Sequence, residues 1–206
     1  MNIEIKEYNL PDIEIFHTVQ SGYEFSIWHP DKTYLILGQS NKIETSLFLD
    51  KVESDDITVL KRPSGGETVI LTPKTLVISA VFVNSEIKRP HQYFARFNDF
   101  IIKGLLISGI ENVSHKGISD LAIGEKKILG SSIYHKKDKI FYHAVLNVAE
   151  SIEIIEKYIQ HPKREPDYRK GREHGEFVTS IVQHYPGISM NKISDGLIKS
   201  LKEFVN

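Results

Sequence analysis

The sequence predicts a single α+β domain, and three observations carry that expectation. Leu76-Val77-Ile78-Ser79-Ala80-Val81-Phe82-Val83 is a nearly continuous apolar run, as in a strand buried on both faces. Ser119 to Ile123, Lys127 to Tyr134 and Lys139 to Val148 follow one another across the short charged links Gly124-Glu125-Lys126 and His135-Lys136-Lys137-Asp138. Closely spaced strands with such turns form an antiparallel meander. Phe94, Phe97, Ile101 and Leu105 recur at helical spacing and supply an apolar face to cover a sheet.

The remaining elements follow in order. Residues 2–8 alternate as a strand and are broken by Asn9-Leu10-Pro11-Asp12. Phe25 to Trp28 and Thr33 to Leu37 are two strands joined across His29-Pro30-Asp31-Lys32. Gly38-Gln39-Ser40-Asn41 closes the second, either as donors aimed at a ligand or as a cap for an amphipathic helix over 43–53. A β-branched run, Ile57 to Leu60, precedes the turn at Lys61. Pro90 sits at the start of the aromatic-striped helix and Gly109 at its end. Ala149 to Gln160 is helical, with Ile152, Ile155 and Ile159 on one side. Residues 161–176 form a polar, basic loop with two prolines and no periodicity, either a lid over a site or a solvated connection. The last helix, about Met190 to Phe204, buries Ile193, Leu197, Leu201 and Phe204.

Composition narrows the function. With 206 residues, 40% hydrophobic and 26% charged, the chain fits one good-sized domain. A formal charge of −1 gives no bulk positive field for nucleic acid. Cysteine is absent, which excludes disulfides, zinc–thiolate sites and a thioester-forming nucleophile. No apolar run approaches the roughly 18 residues of a membrane span. The charged N-terminal stretch has no signal-peptide apolar region, so a cytoplasmic protein is expected.

Two stretches can carry chemistry. Lys61-Arg62-Pro63-Ser64-Gly65-Gly66-Glu67-Thr68-Val69 lies between strands. It is either a hairpin or bulge, or a nest of backbone N–H groups that holds an anion beside two cations. The second is Ser119-Asp120, then Lys126-Lys127-Ile128-Leu129-Gly130-Ser131-Ser132. Gly130 and the serines leave room for close approach, and Lys127 at the strand mouth could neutralise a carboxylate and a phosphate together. Asp120 could hold a magnesium ion or orient a nucleotide. The alternative is a surface hairpin with solubilising lysines. His143 is open between a site residue and a satisfied core histidine.

Taken together, Gly38-Gln39-Ser40-Asn41, the Lys61 to Gly66 loop, Ser119-Asp120, Lys127-Ile128-Leu129-Gly130-Ser131 and His143-Ala144-Val145-Leu146 occur in an order that resembles the lipoate–protein ligase catalytic domain. The resemblance covers roughly residues 24–180. It implies a mixed, largely antiparallel sheet flanked by helices, like biotin ligases and class II aminoacyl-tRNA synthetases. It also implies ATP-dependent, Mg2+-assisted activation of lipoate to lipoyl-adenylate. Transfer then goes to a lysine of a lipoyl carrier domain, a glycine cleavage H protein or a 2-oxoacid dehydrogenase E2. Carried over by position, Lys127 matches the essential lysine on the acyl carboxylate and α-phosphate. Arg62, Ser64, Gly65 and Gly66 match the pocket loop, Asp120 the acidic residue near nucleotide and metal, and His143 the following histidine. Gly130 and Ser131 belong to the lysine motif.

The chain departs from that pattern at Glu67, which stands where a third glycine is usual, and at Thr68 to Leu71 after it. Glu67 therefore becomes a candidate for reshaping the pocket. Many such ligases carry a C-terminal accessory domain. With Asn206 as the last residue, the expectation is one catalytic domain over 1–206, aided by a separate polypeptide. Octanoyltransferases of the same fold use a cysteine, which this chain lacks. A biotin ligase would carry a Gly-Arg-Gly-Arg-type loop. The remaining alternatives are a cysteine-independent octanoyl or lipoyl transferase of the same fold and a non-catalytic module that binds a lipoyl domain.

Overall fold

The computed structural model describes residues 3–83 and 90–203; Phe204, expected on the last helix, and Asn2 lie outside them. In chain order the elements are β1 (Ile5–Glu7), α1 (Ile13–Thr18), β2 (Tyr23–Trp28), β3 (Tyr34–Leu37), a 3₁₀ turn (Ile43–Thr45), α2 (Leu49–Ser54), β4 (Thr58–Lys61), β5 (Val69–Leu71) and β6 (Thr75–Val83). There follow α3 (Pro90–Ile107), β7 (Val113–Lys116), β8 (Asp120–Ile123), β9 (Lys126–Lys136), β10 (Lys139–Asn147), α4 (Ile152–Tyr158), α5 (His174–Phe177), α6 (Ile181–His184) and α7 (Met190–Lys202).

The α+β class holds, but the strands divide between two sheets. A six-stranded sheet runs β2-β6-β10-β9-β8-β7, antiparallel at every step. A four-stranded sheet runs β1-β4-β3-β5, with β4 parallel to both β1 and β3 and β5 antiparallel to β3. The strands on either side of His29 to Lys32 are therefore not a hairpin: β2 pairs with β6, and β3 crosses to the small sheet. The chain returns through a tight turn in which the Thr75 amide donates to the Thr72 carbonyl at 2.9 Å.

β6 is where the two sheets meet, and its alternation explains its apolar run. Leu76, Ile78 and Ala80 face α3 and α7, among Phe97, Ile101, Leu105, Ile193 and Leu197. Val77 packs with Tyr8, Ile36, Leu60 and Leu71 of the small-sheet side, and Val81 with Phe16 of α1. Each fully buried side chain of this kind contributes about 1.5–3 kcal/mol. Phe97 of α3 also stacks on Tyr142 of β10, centroids 4.4 Å apart. Gly104 lets α3 approach α7 closely, since a Cβ there would lie 2.8 Å from Leu197 Cα.

Shorter elements depart from the expected pattern for tertiary reasons. The helix expected over 43–53 splits into the 3₁₀ turn and α2, because Leu47 bridges to Ile159 and the Phe48 amide donates to the Tyr158 carbonyl. The loop over 161–176 wraps a buried aromatic: the guanidinium groups of Arg169 and Arg172 lie 4.7 and 5.3 Å from the Phe177 ring. α1, β5, β7, α5 and α6, each of six residues or fewer, lie outside the sequence-based expectation.

Candidate active site

The centre of the site is a charged pair at the mouth of the large sheet. Asp120 opens β8 and stands across from Gly130 of β9. The register then slips, Leu121 pairing with Leu129 but Ala122 with Lys127, so that Ile128 is bulged. A bulge re-aims the side chains beside it. Lys127 folds back over Gly130, where a Cβ would come within 2.7 Å of its Nζ, and reaches Asp120 Oδ1 at 2.9 Å. Glycine is the residue that leaves this path open. Asp120 is largely buried, its side chain 8% exposed, whereas Lys127 remains 28% exposed.

Further hydrogen bonds surround the pair. Tyr168, from the loop after α4, donates its hydroxyl to Asp120 Oδ2 at 2.9 Å. Burial and the Asp120 charge hold that phenol far above its ordinary range, so it stays a donor. Ser131 Oγ donates to the Ser119 carbonyl at 2.7 Å. The same loop is tied back to β9, since Lys127 forms a parallel bridge with Val178 and its carbonyl accepts the Thr179 amide at 2.9 Å.

The glycine loop forms the opposite wall. Arg62 is 4% exposed and spends its donors internally. Nη2 donates to the carbonyls of Gly65 and Glu67 at 2.8 Å, Nη1 to Ile36 at 3.2 Å and Nε to Ser64 Oγ at 3.1 Å. Burial lowers its pKa to about 10. Gly38 and Gly66 meet so closely that a Cβ on Gly38 would fall 2.0 Å from the Gly66 carbonyl, and Gly66 adopts φ 90°. Asn41 staples the loop, accepting from the Gly38 amide at 2.8 Å and Thr68 Oγ1 at 3.3 Å and donating to Glu67 Oε2 at 3.5 Å.

Ser64 joins the two walls. Its Oγ is 2.5 Å from His143 Nε2 and 3.0 Å from Ser132 Oγ. Burial, with Arg62 nearby, pushes His143 down to about 3, so the imidazole is neutral. Tyr8 packs edge-on against it, centroids 6.1 Å apart. Tyr8 in turn donates to Asp12 Oδ1 at 2.7 Å, and Ser79 donates to Oδ2 at 2.7 Å. Burial raises Asp12 to about 6.

Between the walls lies a cleft of about 990 Å³. Ile36, Leu71, Val77 and Val145 give it an apolar flank, and Lys127 and Asp120 a charged one. Arg62, Gly66, Glu67, Gly130, Ser131 and His143 also line it, while Ser64 is buried behind them. This volume suits a small ligand with an apolar body and an anionic head. Among the described residues no group of three or more His, Cys, Asp or Glu could hold a metal ion. Asp120 has both oxygens engaged, Oδ1 by Lys127 and Oδ2 by Tyr168, so a Mg2+ ion there would share the carboxylate through its remaining lone pairs and take its other ligands from phosphates. Sequence reasoning did not single out Tyr168 or Tyr8. Tyr168 sits in an aperiodic loop and Tyr8 just past a three-residue edge strand, so neither carried a local signal.

The site's relatives are known. The family model of the lipoyl protein ligase A/B catalytic domain matches residues 12–202. Lipoate-protein ligase A of Psychrobacter cryohalolentis is 27% identical over 193 residues, 92% of this chain and 54% of that protein. Lipoate-protein ligase LplJ of Bacillus subtilis is 23% identical over 155 residues, 75% and 44% respectively. The chain thus spans about half the length of the curated relatives it matches. In fold it is similar to a chain of the bi-partite lipoate protein ligase of Thermoplasma acidophilum, solved with its E2 lipoyl domain: TM-score 0.80, 20% identity, covering 98% of this chain and 84% of that one. A lipoate-protein ligase A bound with ATP gives a TM-score of 0.79 at 20% identity, covering 98% and 85%.

Proposed function

Because the chain belongs to the lipoyl protein ligase A/B catalytic domain family, we propose that it uses ATP to activate lipoate, or a related short acid, and passes the acyl group to a lysine of a lipoyl domain. The observation that carries this reading is the Lys127–Asp120 pair, at 2.9 Å, on the charged flank of a cleft that also has an apolar one. An aliphatic acid fits that polarity, with its tail between the sheets and its carboxylate toward Lys127.

In the first step a carboxylate oxygen attacks the α-phosphorus, the acyl–phosphate bond forms and pyrophosphate leaves. The obstacle is repulsion between two anions. The Lys127 ammonium, partly exposed and held on one side by Asp120, is placed to offset it. Mg2+, when bound, neutralises charge on the polyphosphate, and Asp120 is the residue that would hold it. Arg62, with its donors committed to the loop, keeps the wall in shape. His143, neutral and joined to Ser64, does the same. In the second step the carrier's lysine amine attacks the acyl carbonyl, the amide forms, and AMP leaves. That step needs positioning more than further activation.

The partner reading is a lipoyl domain, with a second polypeptide completing the catalytic domain. The bi-partite relative, solved with its E2 lipoyl domain, supports both. Intact mass spectrometry of a lipoyl domain incubated with this protein, ATP, Mg2+ and lipoate tests the activity, with and without an accessory polypeptide. One added lipoyl group is expected. A shift from octanoyl-carrier protein without ATP, and none from lipoate with ATP, would replace ligation by acyl transfer. No shift in any arm, with binding retained, would leave a lipoyl-domain-binding module.

A further inference from the structure

Tyr168 belongs to neither sheet, yet its hydroxyl reaches the centre of the site. The two oxygens of Asp120 are divided between partners: Oδ1 meets Lys127 Nζ and Oδ2 accepts from Tyr168, each at 2.9 Å. The phenol ring packs on Phe177, with ring centroids 5.1 Å apart, and Gly117 passes beside it, where an added Cβ would just touch Cε1 at 3.5 Å. Gly117 takes φ 56° there, a conformation that suits glycine.

We propose that Tyr168 is a positioning residue for Lys127, acting through Asp120. This deepens the ligase reading and rests on it. The terminal torsion of an aspartate is soft and roughly two-fold, so a carboxylate with one partner can turn freely. A hydrogen bond on Oδ2 removes that freedom and leaves Oδ1 as the seat for the ammonium. Lys127 carries four side-chain torsions of its own, and Gly130 gives it room to wander. Fixing the carboxylate fixes the ammonium over Gly130, where the incoming carboxylate and α-phosphate would meet. Loss of the phenol hydroxyl removes no charge. Substrates still bind, but the ammonium is misplaced when charge develops, and misplacement of this order costs about 10- to 100-fold in rate.

The test is Tyr168→Phe, which keeps the ring against Phe177. In pyrophosphate release from ATP and lipoate, kcat should fall about 10- to 100-fold while both KM values stay within about twofold. In an Asp120→Asn background the same change should add less than about twofold, because the two residues act as one unit. A raised KM with unchanged kcat, or full multiplication of the two effects, would overturn the proposal. A readout without turnover keeps it separable from the ligase reading. In substrate-free protein, the side-chain NMR signal of Lys127, assigned by its loss in Lys127→Arg, should move in Tyr168→Phe. An unmoved signal overturns the positioning role whatever the activity. Wild-type protein that forms no adenylate overturns the ligase reading and leaves that signal to decide Tyr168.

Discussion

Arg62 and Lys127 are both cations lining one cleft, and the fold uses them in opposite ways. Arg62 is buried, with four of its five guanidinium N–H donors spent on three carbonyls and a serine of its own wall. Lys127 is partly exposed, held by one carboxylate, with donors left over for a ligand. Charge near a site is thus a poor guide to chemistry. Where the donors are committed, a cation is scaffold; where they are free, it can act on a substrate.

Substitutions can break that contrast from either side. The largest effect is expected at Lys127→Ala: pyrophosphate release from ATP and lipoate should drop by about 10²–10³, the scale of losing an electrostatic stabiliser. The fold should survive with only a modest loss of melting temperature, since Tyr168 still donates to the largely buried Asp120 that loses its counter-charge. Arg62→Met should do the reverse. It strands the carbonyls of Ile36, Gly65 and Glu67, and urea unfolding should show a loss of about 3–5 kcal/mol. If Arg62→Met keeps its stability and loses activity alone, the contrast is wrong.

A smaller effect sharpens the scaffold side through pH. His143 sits at about 3 in the folded protein against 6.5 ordinarily. Between those values the unfolded chain binds the extra proton, so this term costs stability as pH falls. Asp12 sits at about 6 against 3.8, so the folded protein binds the extra proton there and this term adds stability as pH falls. The two oppose each other in wild type. Asp12→Asn removes the second, and its urea midpoint should therefore fall more steeply than wild type between neutral pH and about pH 4.5. The smallest effect is expected at Glu67→Gly. Its side chain makes one long contact to Asn41, so the cost should stay under about 1 kcal/mol, the entropy of a glycine. Any kinetic change should be a few-fold in KM, with kcat held, because Glu67 lines the cleft from the glycine loop and makes no hydrogen bond or ion pair with Lys127 or Asp120.

What was legible in the sequence was whatever a short window encodes. β6 showed as an apolar run, the β8–β9–β10 meander as strands with charged turns, and α3 as a stripe ending at Gly109. Asp120 and Lys127, one hairpin apart, each showed as a site candidate, but their ion pair did not, because it depends on how Lys127 folds back over Gly130. The second sheet was not legible. β1 and β5 are three residues long, and β1 finds its partner β4 far along the chain. No local pattern separates such strands from loop. The contact of Ser64 with His143 spans 79 positions, and that of Tyr168 with Asp120 spans 48. Arg62 was visible as a cation, but which carbonyls would claim it depends on the closure of Gly38 against Gly66.

The tie between Lys127 and the 178–179 stretch bears on how firmly the cleft is covered. The bridge to Val178 and the Thr179 amide fasten that stretch to β9, and Phe177, Thr179 and Ile181 along it are all buried. Tyr168 thus reaches Asp120 from a segment whose far end is fixed in the core. The cover over the charged pair and the sheet beneath it stand on one foundation.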